Sequence, residues 1–231
     1  MLKKAKNRLI ATKHFVQSLG KRKVFCVGQN KTGTTSLAKA LTDLNIPVAA
    51  TLRDHDPNLM RTIEEWYTGD YRRIIRSCRL SQGFQDYPFS LPGTYEALDR
   101  AFPKSKFVLT VRDSSEQWCN SFTSYYLKKY WAGEHPLANH ASGFKHPYAE
   151  NALRRMRLIY GEWKDPFDKI KLIHAYESQN LAVHKYFNGR EHDLITINLS
   201  NDKDYKRLCD FLDKSPQSSS FPWINKTRID T

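Results

Sequence analysis

The chain has 231 residues, of which 40 % are hydrophobic and 26 % charged, a mixture that supports an α/β-sized core and excludes disordered, collagen-like or disulfide-dense classes. Lysines and arginines number 37 against 24 aspartates and glutamates, so the net charge of +13 favours an anionic partner. Because that charge is spread along the chain and not gathered in one stripe, nucleic acid is the less favoured of the anions.

Residues 1–22 read as a basic lead-in, with Leu9, Ile10, Phe15, Val16 and Leu19 able to form one side of a short helix. They hold no unbroken apolar stretch of about 7–15 residues, as a secretory signal requires, and no run in the chain nears the ~18 of a membrane span. A cytoplasmic location is therefore the default expectation. Cys26, Cys78, Cys119 and Cys209 are scattered with no CxxC pair, which predicts free thiols and no metal cluster.

Lys23–Gly28 is a short apolar run that predicts a buried strand, and Thr34–Leu44 follows with the helical spacing Leu37, Ala40, Leu41, Leu44. Ile46–Ala50 suggests a second short strand. Asp56-Pro57 opens a helix, since aspartate caps and proline suits the first helical position. Gly83–Asp86 is a brief strand closed by Pro88, Leu91–Phe102 a helix, and Lys106–Val111 the clearest strand. A helix over Ser114–Lys129 follows. Residues 131–147, rich in Gly, Pro, His and Asn, read as a lid or long loop. Helices near Tyr148–Trp163 and Tyr176–Phe187, a strand at His192–Leu199 and a helix at Lys203–Leu212 complete the chain. Strands alternating with helices predict an α/β fold, a P-loop-type parallel sheet covered by helices on both faces, with residues 23–231 as a single domain. Ligands in such sheets bind beyond the carboxyl ends of the strands, so the loops after Val27, Gln85 and Val111 should share one cleft.

The first strand runs into Gly28-Gln29-Asn30-Lys31-Thr32-Gly33-Thr34-Thr35-Ser36 and then a helix. Backbone N–H groups at such a turn, with the helix dipole, make an anion site. Gly28 and Gly33 have the GxxxxG spacing of a nucleotide-hydrolysing loop, but Thr34 stands where its lysine belongs, and Lys31 comes before the second glycine. That argues against a magnesium-dependent kinase or NTPase.

Lys31-Thr-Gly-Thr-Thr-Ser36 resembles the 5′-phosphosulfate loop of sulfotransferases, written K-[ST]-G-T-T. Lys106–Arg112 followed by a helix resembles the family's 3′-phosphate element, a strand ending in arginine and a helix carrying a serine. The usual gap points to Asn120, but Ser121 is the serine at hand and Trp118-x-x-Ser121 fits the pattern. Gly83-Phe-Gln-Asp86-Tyr-Pro88, Tyr95–Leu98, Tyr176-Glu177-x-x-Asn180, Leu208–Leu212 and Phe221-Pro222-x-x-Asn225 extend the resemblance to a soluble sulfotransferase-like branch. Leu37 replaces a tryptophan common in animal cytosolic members, and the late Arg-Lys-Gly segment is missing, with Lys226 or Arg228 as stand-ins.

The resemblance implies a sulfotransferase using 3′-phosphoadenosine-5′-phosphosulfate without a metal. Lys31, Thr32, Gly33, Thr34, Thr35 and Ser36 would hold the 5′-phosphate, with Lys31 also stabilising the leaving oxygen. Arg112 and Ser121 would hold the 3′-phosphate. An alcohol or amine acceptor needs a base. Asp86, ending a strand at the cleft, is the first candidate, and His55, His140, His146 and His174 are alternatives. Tyr125–Trp131 could shape the acceptor pocket. The acceptor is open: carbohydrate, lipid, phenol or peptide. Two other readings stay in view, a P-loop kinase and a non-catalytic nucleotide- or nucleic-acid-binding module of the same fold.

Overall fold

The computed structural model describes residues 12, 14–137 and 146–224. Four parallel strands form one sheet in the order β2-β1-β3-β4: β1 (Val24–Cys26), β2 (Gly83–Phe84), β3 (Lys106–Val111) and β4 (Leu194–Asn198). Helices α1 (Thr34–Asp43), α2 (Pro57–Tyr67), α3 (Arg72–Ser77), α4 (Thr94–Ala101), α5 (Ser115–Tyr130), α6 (Ala149–Tyr160), α7 (Lys169–Tyr186) and α8 (Lys203–Phe211) connect and cover it.

Strand alternation sends side chains to two cores. Val24, Cys26, Val108 and Ile197 pack with Leu37 and Leu41 of α1 and Leu208 of α8 on one face. Phe25, Val27, Phe107 and Leu109 pack with Ile74 of α3, Leu98 of α4 and Val183 of α7 on the other. Buried parallel strands need this double cover, which explains why Val24–Val27 and Phe107–Leu109 are apolar without alternation. A third core joins α5, α6 and α7 around Trp118, Phe122, Met156 and Leu172.

The caps follow local rules. Asp56 accepts from the Asn58 N–H at 2.9 Å with Pro57 at the first helical position, and Ser114 accepts from the Gln117 N–H at 3.1 Å. Helix α7 begins well before Tyr176 because Asp168 caps it, accepting from the Lys171 N–H. Ile46–Ala50 is not a full strand: only Val48 bridges to Gly83, while the Pro47 carbonyl accepts from the Gln82 and Gly83 N–H groups. Proline lacks the N–H that would extend the ladder. All four cysteines are buried and unbridged, and burial pushes the Cys26 thiol up to about 11. Among the described residues no helix is long and apolar enough to cross a membrane, and no group of His, Cys, Asp or Glu is arranged to hold a metal. The lid expected at 131–147 lies partly outside the described residues, as do His140, Asn225, Lys226 and Arg228.

Candidate functional site

The turn between β1 and α1 is built by close approach. Gly28 lies so near β3 that a Cβ there would stand 2.1 Å from Thr110 Oγ1 and 2.6 Å from its backbone nitrogen. Gly33, at φ 95°, precedes α1, which has no side-chain cap. The N–H groups of Thr34, Thr35 and Ser36 make no hydrogen bond within the described residues, so the helix presents a row of donors. Lys31 is held at φ 71°, a left-handed conformation that costs a side-chain-bearing residue about 1–2 kcal/mol.

The loop hydroxyls divide. Thr32 is buried and donates to the Gln29 carbonyl, while Thr110 Oγ1 lies 2.6 Å from its oxygen. Ser36 accepts from the Ile224 N–H at 3.1 Å. Both therefore serve the fold directly. The hydroxyls of Thr34 and Thr35 make no hydrogen bond within the described residues, and Thr35 is exposed.

Arg112, immediately after β3, donates from Nε to the Lys31 carbonyl at 2.6 Å, and its own N–H donates to the Tyr176 hydroxyl at 3.1 Å. Its two terminal nitrogens make no hydrogen bond within the described residues. Helix α5 presses the same loop. Trp118 Nε1 donates to the Asn30 carbonyl at 2.9 Å and its ring stacks on Tyr176, while the Tyr125 ring lies 4.2 Å from Lys31 Nζ. Residues 118, 121 and 125 share one helix face, so the half-buried Ser121 lies on the face that meets the loop, and Asn120 is exposed.

Asp86 follows β2 at φ 61° and accepts from the Tyr87 N–H at 2.9 Å. It borders a polar cavity of about 380 Å³ that is also lined by Asn30, Arg53, Tyr125, Lys129 and Arg155. A larger cavity of about 780 Å³, walled by Val48, Ile74, Leu80 and Phe89, touches neither the loop nor Asp86. His55 and His146 line the polar cavity, whereas His174 is exposed on α7 and does not. The loops after β1, β2 and β3 thus meet, as open parallel sheets require of a ligand site.

A family model for the sulfotransferase domain matches residues 23–229. The chain belongs to the sulfotransferase family. It is accordingly a transferase, with a sulfotransferase fold and a sulfotransferase's general activity. A comparison with curated proteins found no match.

Electrostatics set the state of this sulfotransferase's two candidate catalytic groups. Burial lowers the pKa of the Lys31 ammonium, and Arg112 and Lys129 add to the effect against the opposing pull of Asp86. Burial raises the Asp86 carboxyl against the Tyr87 N–H bond and the charges of Arg53, Arg155 and Lys129. Sequence reasoning missed the group beside Asp86. Asp54 binds Lys129 Nζ at 2.6 Å, the Tyr130 hydroxyl at 2.9 Å and Arg155 Nη2 at 3.3 Å. Burial raises the Asp54 pKa, but the Lys129 and Tyr130 bonds outweigh it and hold the carboxyl below its usual range. The one signal available was Tyr125–Trp131, whose Lys129 and Tyr130 belong to this group.

Proposed function

We infer that this sulfotransferase takes its sulfuryl group from 3′-phosphoadenosine-5′-phosphosulfate and passes it to a hydroxyl or amine in the polar cavity. The observation that carries the reading is the 2.6 Å bond from Arg112 Nε to the Lys31 carbonyl. It ties a strand-end arginine to the turn between β1 and α1, which supports the reading that two phosphates of one ligand are held together there. The open N–H row of α1, with the unengaged hydroxyls of Thr34 and Thr35, fits one phosphate. The unengaged end of Arg112, with Ser121 beside the loop, fits the other. Gly33 keeps the backbone near the ligand, while Thr32 contributes by tying the loop to Gln29 and Thr110, and Ser36 through its backbone N–H.

When bound, the donor supplies a sulfuryl group on a phosphate leaving group, so transfer breaks the S–O bond to that phosphate and forms an S–O bond to a hydroxyl acceptor or an S–N bond to an amine. The protein's task is to position and neutralise. Lys31 holds a positive charge where the leaving oxygen becomes negative. Asp86 accepts the proton released by the acceptor, and its raised pKa makes it a stronger base than an ordinary aspartate. Both residues sit in left-handed backbone conformations, strain that persists where the surroundings over-determine it.

The test is isothermal titration with adenosine 3′,5′-bisphosphate in chelator, beside ATP with Mg²⁺. Binding of the bisphosphate, lost in Arg112→Ala, is expected. A preference for ATP with Mg²⁺ would sink the donor assignment.

A further inference from the structure

The polar cavity beside Asp86 carries an excess of cations. Arg53, Lys129 and Arg155 line it against Asp54 and Asp86. Asp54 is already committed to Lys129, Tyr130 and Arg155. Asp86 is the proton acceptor and loses its charge when it acts. Arg155 is only 3 % exposed, yet its Nε and Nη1 find no hydrogen-bond partner, and only Nη2 is engaged, with Tyr130 and Asp54. Burying a guanidinium with the Nε and Nη1 donors idle is costly unless a countercharge arrives. Arg53 makes no ion pair or hydrogen bond through its side chain within the described residues, and it is exposed at the same cavity. Tyrosines 87, 125, 126, 130 and 148 supply much of the remaining wall, beside His55 and His146, which suits a flat ring.

We propose that the acceptor is an anion: a compact hydroxylated molecule bearing a carboxylate, held by Arg155 and Arg53 with its hydroxyl toward Asp86. This rests on the reading of the cavity as the acceptor site. An arginine pair matches a carboxylate in geometry as well as charge.

The experiment compares three probes alike but for one group: 4-hydroxyphenylacetate, its neutral amide, and the cationic amine tyramine. Each is titrated into the full chain, with and without saturating adenosine 3′,5′-bisphosphate. The acid is expected to bind at least tenfold more tightly than the amide, and the amine most weakly. Arg155→Met should erase that preference. Arg53→Gln, at an exposed position that folding does not need, should reduce it several-fold while leaving the amide unchanged. Equal binding of acid and amide, binding of none of the three, or a preference that survives Arg53→Gln would overturn the proposal. Anion preference without any bisphosphate binding would instead fault the donor assignment and leave the cavity assignment standing.

Discussion

Replacing Gly28 with alanine tests whether the site is built by close packing of the loop on β3. The new Cβ would lie 2.1 Å from Thr110 Oγ1, 2.5 Å from its carbonyl oxygen and 2.6 Å from its nitrogen. Ordinary carbon contacts begin near ~3.5 Å, so backbone must move by about 1 Å. Overpacking of this kind costs about 1–3 kcal/mol, and loss of the neighbouring Val27 N–H to Val108 carbonyl bond adds about 1 kcal/mol. A total near 3 kcal/mol corresponds to a Tm lowered by about 6–12 °C for a chain of this size. Thermal melts by circular dichroism measure that directly, and bisphosphate titration reads the loop. Two of the three clashing atoms are backbone, so the double variant with Thr110→Ala should recover little. A Tm within about 2 °C of the parent, or full rescue by Thr110→Ala, would refute the packing argument.

Further outcomes follow from the same geometry. Lys31→Gly and Lys31→Ala both remove the ammonium and should lower kcat by about 10²–10³, but the glycine variant should be about 1 kcal/mol the more stable, because φ 71° penalises a Cβ; urea melts of the two compare them. As the proposed base, the raised Asp86 would have to be deprotonated, so the acid limb of kcat/KM should lie above the range of an ordinary aspartate. The lowered Lys31, in its proposed role, would have to be protonated, so the basic limb should lie below that of an ordinary lysine. Asp86→Asn should cost about 10²–10⁴ in rate and abolish the acid limb alone, which a pH–rate profile shows. Arg112→Lys keeps charge but loses the planar fork and the bond to the Lys31 carbonyl, so bisphosphate binding should weaken by about tenfold or more in titration.

Much of the architecture was legible because it is local. Apolar β-branched runs bounded by charge mark β1 and β3, and Lys106–Val111 has the bounds read from sequence. Capping chemistry placed the starts of α2 and α5 to within a residue. The start of α7 was misplaced because no cap was sought there: its Asp168 cap lies two turns before the Tyr176 from which that helix was read. The site divided along the same line. The turn proposed to hold the phosphate is contiguous in sequence, so its residue type and order were enough to single it out as a candidate.

The roles of single hydroxyls were not legible. Thr32 turns to Thr110 and Ser36 to Ile224, partners from other elements that no loop motif encodes. Nor could spacing choose between Asn120 and Ser121. The phase of α5, set by Trp118 and Tyr125 packing on the loop, puts the serine on that face. The Asp54–Lys129–Tyr130–Arg155 group shows the limit most plainly. Its members come from the loop before α2, from α5 and from α6, and each read alone is an ordinary charged or aromatic side chain. By itself the sequence determined the apolar runs of β1 and β3, the starts of α2 and α5 and the candidate loop between β1 and α1, because backbone sterics, caps and hydrophobic periodicity act over a few residues. Only the tertiary structure decided which charges face one another across the cavity, because that depends on how distant helices pack.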